Sequence, residues 1–438
     1  MPNGSQKSDH FSMSKSPQTA LSFAQELDTT DSLAPFRNCF HHNVNEIYLD
    51  GNSLGKQPKQ VKEVLNQVVD NQWAQQLISS WNAHWLALPK RISAKLAQLL
   101  KVSQEEVIVG ESTSVNLYKV VLALAQSERY PKRLITDSLN FPTDNYILEG
   151  ISTTLSIEKP AMVRYSSDLV ADIDALKKTM RSQQGIFCLS LVSYKSAYLY
   201  PLEELNAFAK ANNSVIVWDL SHAVGAINLD LKKSNTLIAV GCTYKYLNGG
   251  PGSPSFLYVD ESLIPALNAP IQGWFGHARP FEFSFDYSPS ATLEKFSAGT
   301  PQILSLAAME PGIDLCLEAG IANIRNKSVG LGEYLLALIQ DQLLEVGYTI
   351  ESPSNAEERG SHVTLSHPES WRICQCLHQP TKDQPRIVVD FRPDRYIRLG
   401  LAPLYTRYID LWKTVQRLKE IVSENEYLVH DGKRPMVT

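Results

Sequence analysis

Short apolar runs recur through the middle of the chain: "EVIVG", "RLITD", "AMVRY", "GIFCLSLV", "SVIVWDL", "LIAVGC" and "PSFLYV". Between them apolar positions recur at helical spacing, over 115–126, 168–181 and 202–212. Runs that are apolar throughout, rather than alternating, belong to strands covered on both faces. Strands alternating with helices predict an α/β fold on a mostly parallel sheet. Ahead of this region "IYLDGNSLG" shows little periodicity, and an amphipathic pattern from Pro58 to about Leu77 predicts a helix. Past Thr300 the order changes. Helical patterns over 303–347 precede the strands "HVTLSH", "RIVVDF" and "YIRLGLA", and a last helix is predicted over 407–424. Helices followed by mixed strands suggest a smaller α+β domain. The expected division is a disordered leader 1–20, a segment 21–75 that joins the small domain, a large α/β domain 76–305, and the small domain 306–438.

Composition adds limits. A chain of 438 residues with 43% hydrophobic and 20% charged content is too long for one ordinary core, which agrees with two domains. The net charge of −5 has no long like-charge runs, so there is neither a nucleic-acid footprint nor a polybasic membrane patch. A small-molecule partner follows. Of the cysteines, only Cys374 and Cys376 are close, and their C-x-C spacing is not that of zinc or redox motifs, so reduced packing thiols and no metal site are expected. No signal-peptide pattern opens the chain, and no run approaches the ~18 apolar residues of a membrane span. A soluble, cytoplasmic protein is the expectation.

In an open parallel sheet, ligands bind beyond the carboxyl ends of the strands, so the polar residues there are the candidates. After "EVIVG" come Ser112, Thr113 and Ser114 at a helix start, either an ordinary N-cap or an anion site. After "VIVW" come Asp219, Ser221 and His222, where the carboxylate either sits in a turn or meets a cation. Lys245, in "TYKYLNGG", leaves a buried strand and is either snorkelled to water or a desolvated nucleophile. No phosphate-binding P-loop or dinucleotide fingerprint is present. In order along one sheet, the helix start, the aspartate and the lysine match what pyridoxal 5′-phosphate needs: a phosphate site, a partner for the pyridine nitrogen and an amine for a Schiff base. Phe141 of "NFPTD" offers a ring to stack on it.

The stretches "YLDGNSLG", "STSVNLYK", "NFPTDNY", "WDLSHAVGA", "TYKYLNGGPGSP", "GWFGH", "SAGTP" and "DFRPDRYIRLGLAPLY" together resemble the kynureninase family, which has the aspartate-aminotransferase fold (fold type I). The resemblance implies hydrolysis of L-kynurenine, and more weakly of 3-hydroxykynurenine, to anthranilates and L-alanine, with Lys245, Tyr244 and Asp219 catalytic. It implies that Lys245 holds the cofactor, Asp219 pairs with its ring nitrogen, and Phe141 stacks on the ring. Thr113, Ser114, His222 and Tyr244 would surround the phosphate, and Asp144 and Ser190 the periphery. Trp274 and Thr300 would reach the site of a neighbouring subunit, so a homodimer with shared sites is implied. Arg398 would clamp the substrate carboxylate, with Asn52, Ser53 and Trp85 also facing substrate; the alternative for Arg398 is a surface ion pair with Asp390 or Asp394. Tyr244 would donate the proton that completes alanine. Trp85 and Thr300 stand where specialists for the hydroxylated substrate have histidine and asparagine, which leans toward unmodified kynurenine. One departure is "SYKSA" over 193–197, where Ser193 and Ala197 replace the family's asparagine and glycine; an alanine cannot take φ > 0 without strain, so a different loop shape is expected. The alternatives are another enzyme of this fold, a cysteine desulfurase-like lyase or an aminotransferase, and a catalytically silent binding protein.

Overall fold

The computed structural model describes residues 17–380 and 384–432. In chain order the strands of the first part are β1 Glu46–Tyr48, β2 Val107–Val109, β3 Leu134–Asp137, β4 Ala161–Val163, β5 Ile186–Ser190, β6 Val215–Asp219, β7 Ile238–Gly241 and β8 Phe256–Val259. They are followed by β9 Thr349–Ile350, β10 His362–Ser366, β11 Arg386–Val388, β12 Asp390–Arg392 and β13 Tyr396–Gly400. The helices begin with α1 Leu21–Thr29, α2 Gln60–Asn66, α3 Ala87–Leu100, α4 Thr113–Gln126, α5 Pro142–Leu155, α6 Ile173–Ser182 and α7 Leu202–Ala211. Four more are α8 Ile303–Ala319, α9 Ile321–Gln342, α10 Ser370–His378 and α11 Tyr408–Ser423.

Each apolar run of the middle region becomes a strand of one sheet, in the order β2-β8-β7-β6-β5-β3-β4. All pairs from β7 to β4 are parallel, and β8 runs antiparallel to both its neighbours. Every residue of β5, β6, β7 and β8 is buried. Alternate side chains serve opposite faces: Phe187, Leu189, Ile216 and Trp218 enter one core, and Ile186, Cys188, Val215 and Val217 another. A third core lies around the antiparallel sheet β12-β13-β10-β9, where Leu365, Ile397 and Leu399 meet Leu335 of α9 and Leu411 and Val415 of α11.

The structure redraws some expected boundaries. The leader lies outside the described residues as far as 16, but 17–19 form a turn, because the Thr19 hydroxyl reaches Asp341 at 2.7 Å and its carbonyl accepts from Trp412 at 3.2 Å. The segment 21–75 is shared out: Ala24, Ile47 and Leu49 join the third core, whereas Val68 joins the first. The first core also takes Leu306, Met309 and Ile313 of α8. The single helix expected from Pro58 to Leu77 is regular only over α2, then winds more widely over Gln67–Gln76. Wider winding leaves carbonyls without their usual partner, and the buried Ser80 hydroxyl takes that of Gln72 at 2.7 Å. "RIVVDF" is two strands in different sheets, β11 beside β1 and β12 beside β13. The break falls at Val389, whose backbone meets the His378 ring instead of a ladder partner.

The loop 193–198 joins the two halves. Its carbonyls receive Arg398 at Tyr194, Thr364 at Lys195 (2.7 Å) and Ser352 at Ser196 (2.6 Å). The strain expected at Ala197 is present. Ala197 keeps the left-handed conformation, with φ 65° and the side chain buried, and its carbonyl accepts from Gly360 at 2.8 Å. The strain of about 1–2 kcal/mol is held in place by those contacts.

Ala197→Gly is expected to leave stability unchanged or raise it by up to about 1 kcal/mol, since relief of strain outweighs the roughly 0.8 kcal/mol of a lost buried methyl. Urea denaturation checks this. A loss of about 1 kcal/mol or more, the usual result of removing a buried methyl group, would mean the alanine is unstrained.

Candidate active site at the strand ends

The strands β7, β6, β5 and β3 are sheet neighbours running in one direction, so their carboxyl ends open at one edge. The register sets Ser190 beside Asp219 and Asp219 beside Val240. Residues far apart in sequence thereby converge: Asn140 and Phe141 after β3, Ser190 ending β5, Asp219 ending β6, and Tyr244 and Lys245 after β7.

Lys245 does not snorkel. Its amine turns inward, 3.2 and 3.3 Å from the two ring nitrogens of His222 and 5.8 Å from the centre of the Tyr244 ring. Burial lowers its pKa against the pull of Cys242 and Asp219. Burial, with Lys245 and Arg398, holds His222 well below the ordinary histidine value, so its ring is neutral. The Asp219 carboxylate accepts from the Ser221 backbone at 2.8 Å, and burial raises its pKa. Asp144, on the first turn of α5, is also buried, with one oxygen lacking any donor; burial and then Asp219 raise its pKa while Lys245 lowers it. Two carboxylates thus face one amine. Burial also raises the pKa of Tyr244, so its phenol stays protonated and able to donate.

The supports are specific. Asn140, to which the sequence reading gave no role, accepts from the Ser190 hydroxyl at 2.6 Å and the Phe141 backbone at 2.9 Å. Phe141 itself is exposed and meets Tyr194 edge-on at 5.2 Å, so it is not core. At the start of α4 the cap is Ser112, which accepts from Val115 at 3.3 Å and leaves Thr113 and Ser114 on the first turn.

Arg398 is buried, not on the surface. Its Nε and Nη2 both reach Asp390, Nη1 donates to the Tyr194 carbonyl, and Nη2 also donates to Ser53 at 3.1 Å. Beside it Asn52 is fully buried with neither amide atom paired. Asn52 sits against Gly400 so closely that a Cβ there would come within 2.0 Å of its oxygen.

Three candidates lie elsewhere in the single chain. Trp85 donates to Gln72 at 2.8 Å and lines a cavity of about 370 Å³ with His84, Arg91 and Glu310. Trp274 is exposed among Phe275, Phe281 and Phe283. Thr300 is exposed on a cavity of about 470 Å³ whose walls include Gly110, Glu111 and Lys119.

The chemistry at the strand ends is that of a desolvated amine, two buried carboxyl groups whose raised pKa a cationic ring nitrogen would relieve, and a helix start suited to an anion. These residues fit pyridoxal 5′-phosphate, and the donorless oxygen of Asp144 is the sign that a positive partner belongs there.

Comparison with known proteins gives concordant matches. Residues 324–418 match the family model described as kynureninase C-terminal domain. The kynureninase of Pseudomonas fluorescens is 36% identical over 406 residues, covering 92% of this chain and 95% of that protein. The kynureninase of Burkholderia mallei (strain SAVP1) is 34% identical over 404 residues, covering 91% and 94%. Among solved structures, a cysteine desulfurase from Thermococcus onnurineus NA1 superposes with a TM-score of 0.75 at 17% identity, over 91% of this chain and 98% of that one. A cysteine desulfurase from Escherichia coli gives 0.73 at 16%, over 91% and 98%. At that identity the likeness is one of fold.

The neutral His222 gives a pH signature. Its folded pKa lies below the 6.5 of an ordinary histidine, so the unfolded chain binds more protons and the stability it contributes is complete above 6.5 and lost as pH falls below it. Asp50 acts with the opposite sign: burial and then Asp390 raise it from 3.8 to about 6, which favours the folded state at lower pH. His222→Asn separates the two. Between about pH 6.5 and 5.5 it should reduce the slope of unfolding free energy against pH by about 1 kcal/mol per unit, measured by urea titration. An unchanged slope would show that the ring binds as many protons in the folded as in the unfolded chain, and a steeper one that it is charged when folded; either would overturn the neutral assignment.

Proposed function

The chain belongs to the kynureninase family, and on that premise we propose that it hydrolyses the Cβ–Cγ bond of L-kynurenine to anthranilate and L-alanine, with pyridoxal 5′-phosphate held at Lys245. The observation that carries this reading is the inward-turned amine of Lys245, which shares its surroundings with Asp219 at the end of β6 and Asp144 on the first turn of α5. In this reading Asp219 holds the proton of the ring nitrogen, Phe141 covers the ring, Thr113 and Ser114 with the first turn of α4 hold the phosphate, and Ser190, His222 and Asp144 border the cofactor. When bound, the cofactor supplies an electron sink for the charge left at Cα.

The chain's own groups do the rest. Burial lowers the pKa of Lys245, which raises the share of free amine able to take the Cα proton. The protonated phenol of Tyr244, adjacent in sequence, returns a proton at Cβ as alanine forms; its raised pKa supports this role. Arg398, Ser53 and Asn52 receive the α-carboxylate, which fixes the substrate by its amino-acid end. Trp274 and Thr300 face outward, which supports a homodimer in which they complete the neighbour's site. With Trp85 and Thr300 in place of the histidine and asparagine of hydroxylated-substrate specialists, a ring hydroxyl meets fewer partners, and one left unpaired costs roughly 1–3 kcal/mol, so unmodified kynurenine is preferred by about 5- to 150-fold in kcat/KM. The rival desulfurase chemistry needs a cysteine on a mobile loop; Cys374 and Cys376 instead lie buried in α10. The described cysteines are all unpaired, which supports a reducing, cytoplasmic compartment.

The test is anthranilate fluorescence on mixing the holoenzyme with L-kynurenine, alongside 3-hydroxykynurenine for the preference. Lys245→Ala should abolish turnover and borohydride fixation of the cofactor, and Asp219→Asn should cost on the order of 100-fold or more in kcat. Full activity in either variant would remove that residue from its role. Lys245→Ala and Trp274→Ala subunits, each inactive alone, should recover activity when mixed, because a shared-site hybrid keeps one intact site; no recovery would place Trp274 in its own subunit's site or in none.

A further inference from the structure

The antiparallel pairing of β10 with β13 sets Thr364 opposite Arg398 and His362 opposite Gly400, so His362, Thr364 and Arg398 share one sheet face. Thr364 is satisfied by the Lys195 carbonyl, and Arg398 by Asp390, Tyr194 and Ser53. His362 is not satisfied. It is fully buried, and neither ring nitrogen has a hydrogen-bonding partner; the Lys195 carbonyl is near enough only to favour the charged ring slightly. Its ring centre is 6.0 Å from that of His222, the residue that meets the Lys245 amine. Across Gly400 lies Asn52, likewise buried with both amide atoms unpaired. Two orphaned polar side chains therefore flank the same glycine, next to the guanidinium.

Arg398 needs help there. Asp390 occupies its Nε and Nη2 edge, so an incoming carboxylate meets only the outer N–H groups that now reach Tyr194 and Ser53. Burial first, and then the cations Arg398, Lys245 and Arg392, lower the pKa of His362 and keep the imidazole neutral with one N–H to give, and those same cations make a field that suits an anion. Its ring stands on the sheet face that carries Arg398 and close to His222, the residue beside the lysine.

We propose that His362 is a second hydrogen-bond donor to the substrate α-carboxylate, beside Arg398, so that this site reads the amino-acid end of its substrate with two side chains from the small sheet. The proposal rests on the reading of Lys245 and Arg398 given above. His362→Leu removes the donor at similar bulk, and His362→Gln restores one. KM and kcat for L-kynurenine are measured on the holoenzyme, together with binding of L-alanine, followed by perturbation of the bound cofactor's visible absorbance. His362→Leu should weaken L-kynurenine and L-alanine alike, by roughly 10-fold, with kcat little changed and the unliganded absorbance intact, and His362→Gln should recover most of the loss. Weakened kynurenine with unchanged L-alanine would place His362 against the aryl ketone instead. No change in either ligand, or loss of the cofactor absorbance itself, would also overturn the proposal. A wild-type protein that binds L-alanine but releases no anthranilate would sink the assigned reaction and leave the carboxylate site standing.

Discussion

Parallel strand direction is the constraint on which this structure depends. Because β3, β5, β6 and β7 run the same way, each must deliver its last residue to one edge, and that edge cannot be apolar, since the chain has to leave the sheet there through turns whose backbone groups need partners. Asp137, Ser190 and Asp219 all end strands at this edge and are all buried. Asp137 is satisfied internally by the hydroxyls of Tyr165 at 3.0 Å and Tyr200 at 2.6 Å. Asp219, in the centre, has no comparable pair of hydroxyls and shares its surroundings with Asp144 and Lys245. The outer aspartate is satisfied within the fold, whereas the inner one keeps room for a further partner.

A second dependency follows from the first. The small antiparallel sheet meets the loop 193–198 through charge and backbone carbonyls, while Ala402, Leu404 and Tyr405, which follow β13, pack into the first core. Arg398 crosses from one body to the loop of the other, held by Asp390. Removing one partner of such a buried pair costs about 3–5 kcal/mol, because the remaining charge cannot be rehydrated. The strained Ala197 belongs to the same seam: its loop must present three consecutive carbonyls to the small sheet, and that demand outweighs the preference of its side chain.

Much of this was legible in the residues. The strands of the large sheet are nearly all present as apolar runs, since burial on both faces writes itself directly into composition, and Asp219 and Lys245 stood out as charges at the ends of such runs. The boundaries failed where continuity of pattern hid a change of partner. "RIVVDF" reads as one strand, but hydrogen bonding transfers from β1 to β13 at Val389. Leu306 to Ala319 follow the point where the pattern changes, but they pack into the first core.

For the site, the division is sharper. The amino-acid sequence by itself determined which residue types stand at strand ends and helix starts, because those positions are set by local periodicity and by the cost of burying charge within one run. Only the tertiary structure decided which of them meet. That Lys245 points at His222, that Asn140 ties Phe141 to Ser190, and that Arg398 spends one edge on Asp390 depend on sheet order and on the docking of two bodies. His362 is the clearest case: it lies in the buried strand "HVTLS" with nothing beside it in sequence to mark it, and it acquires meaning only from a register that sets it across from Gly400, which Asn52 abuts, and on the same sheet face as Arg398. Pairing between distant strands is a non-local choice, made by the packing of whole faces, and no single stretch of the chain encodes it.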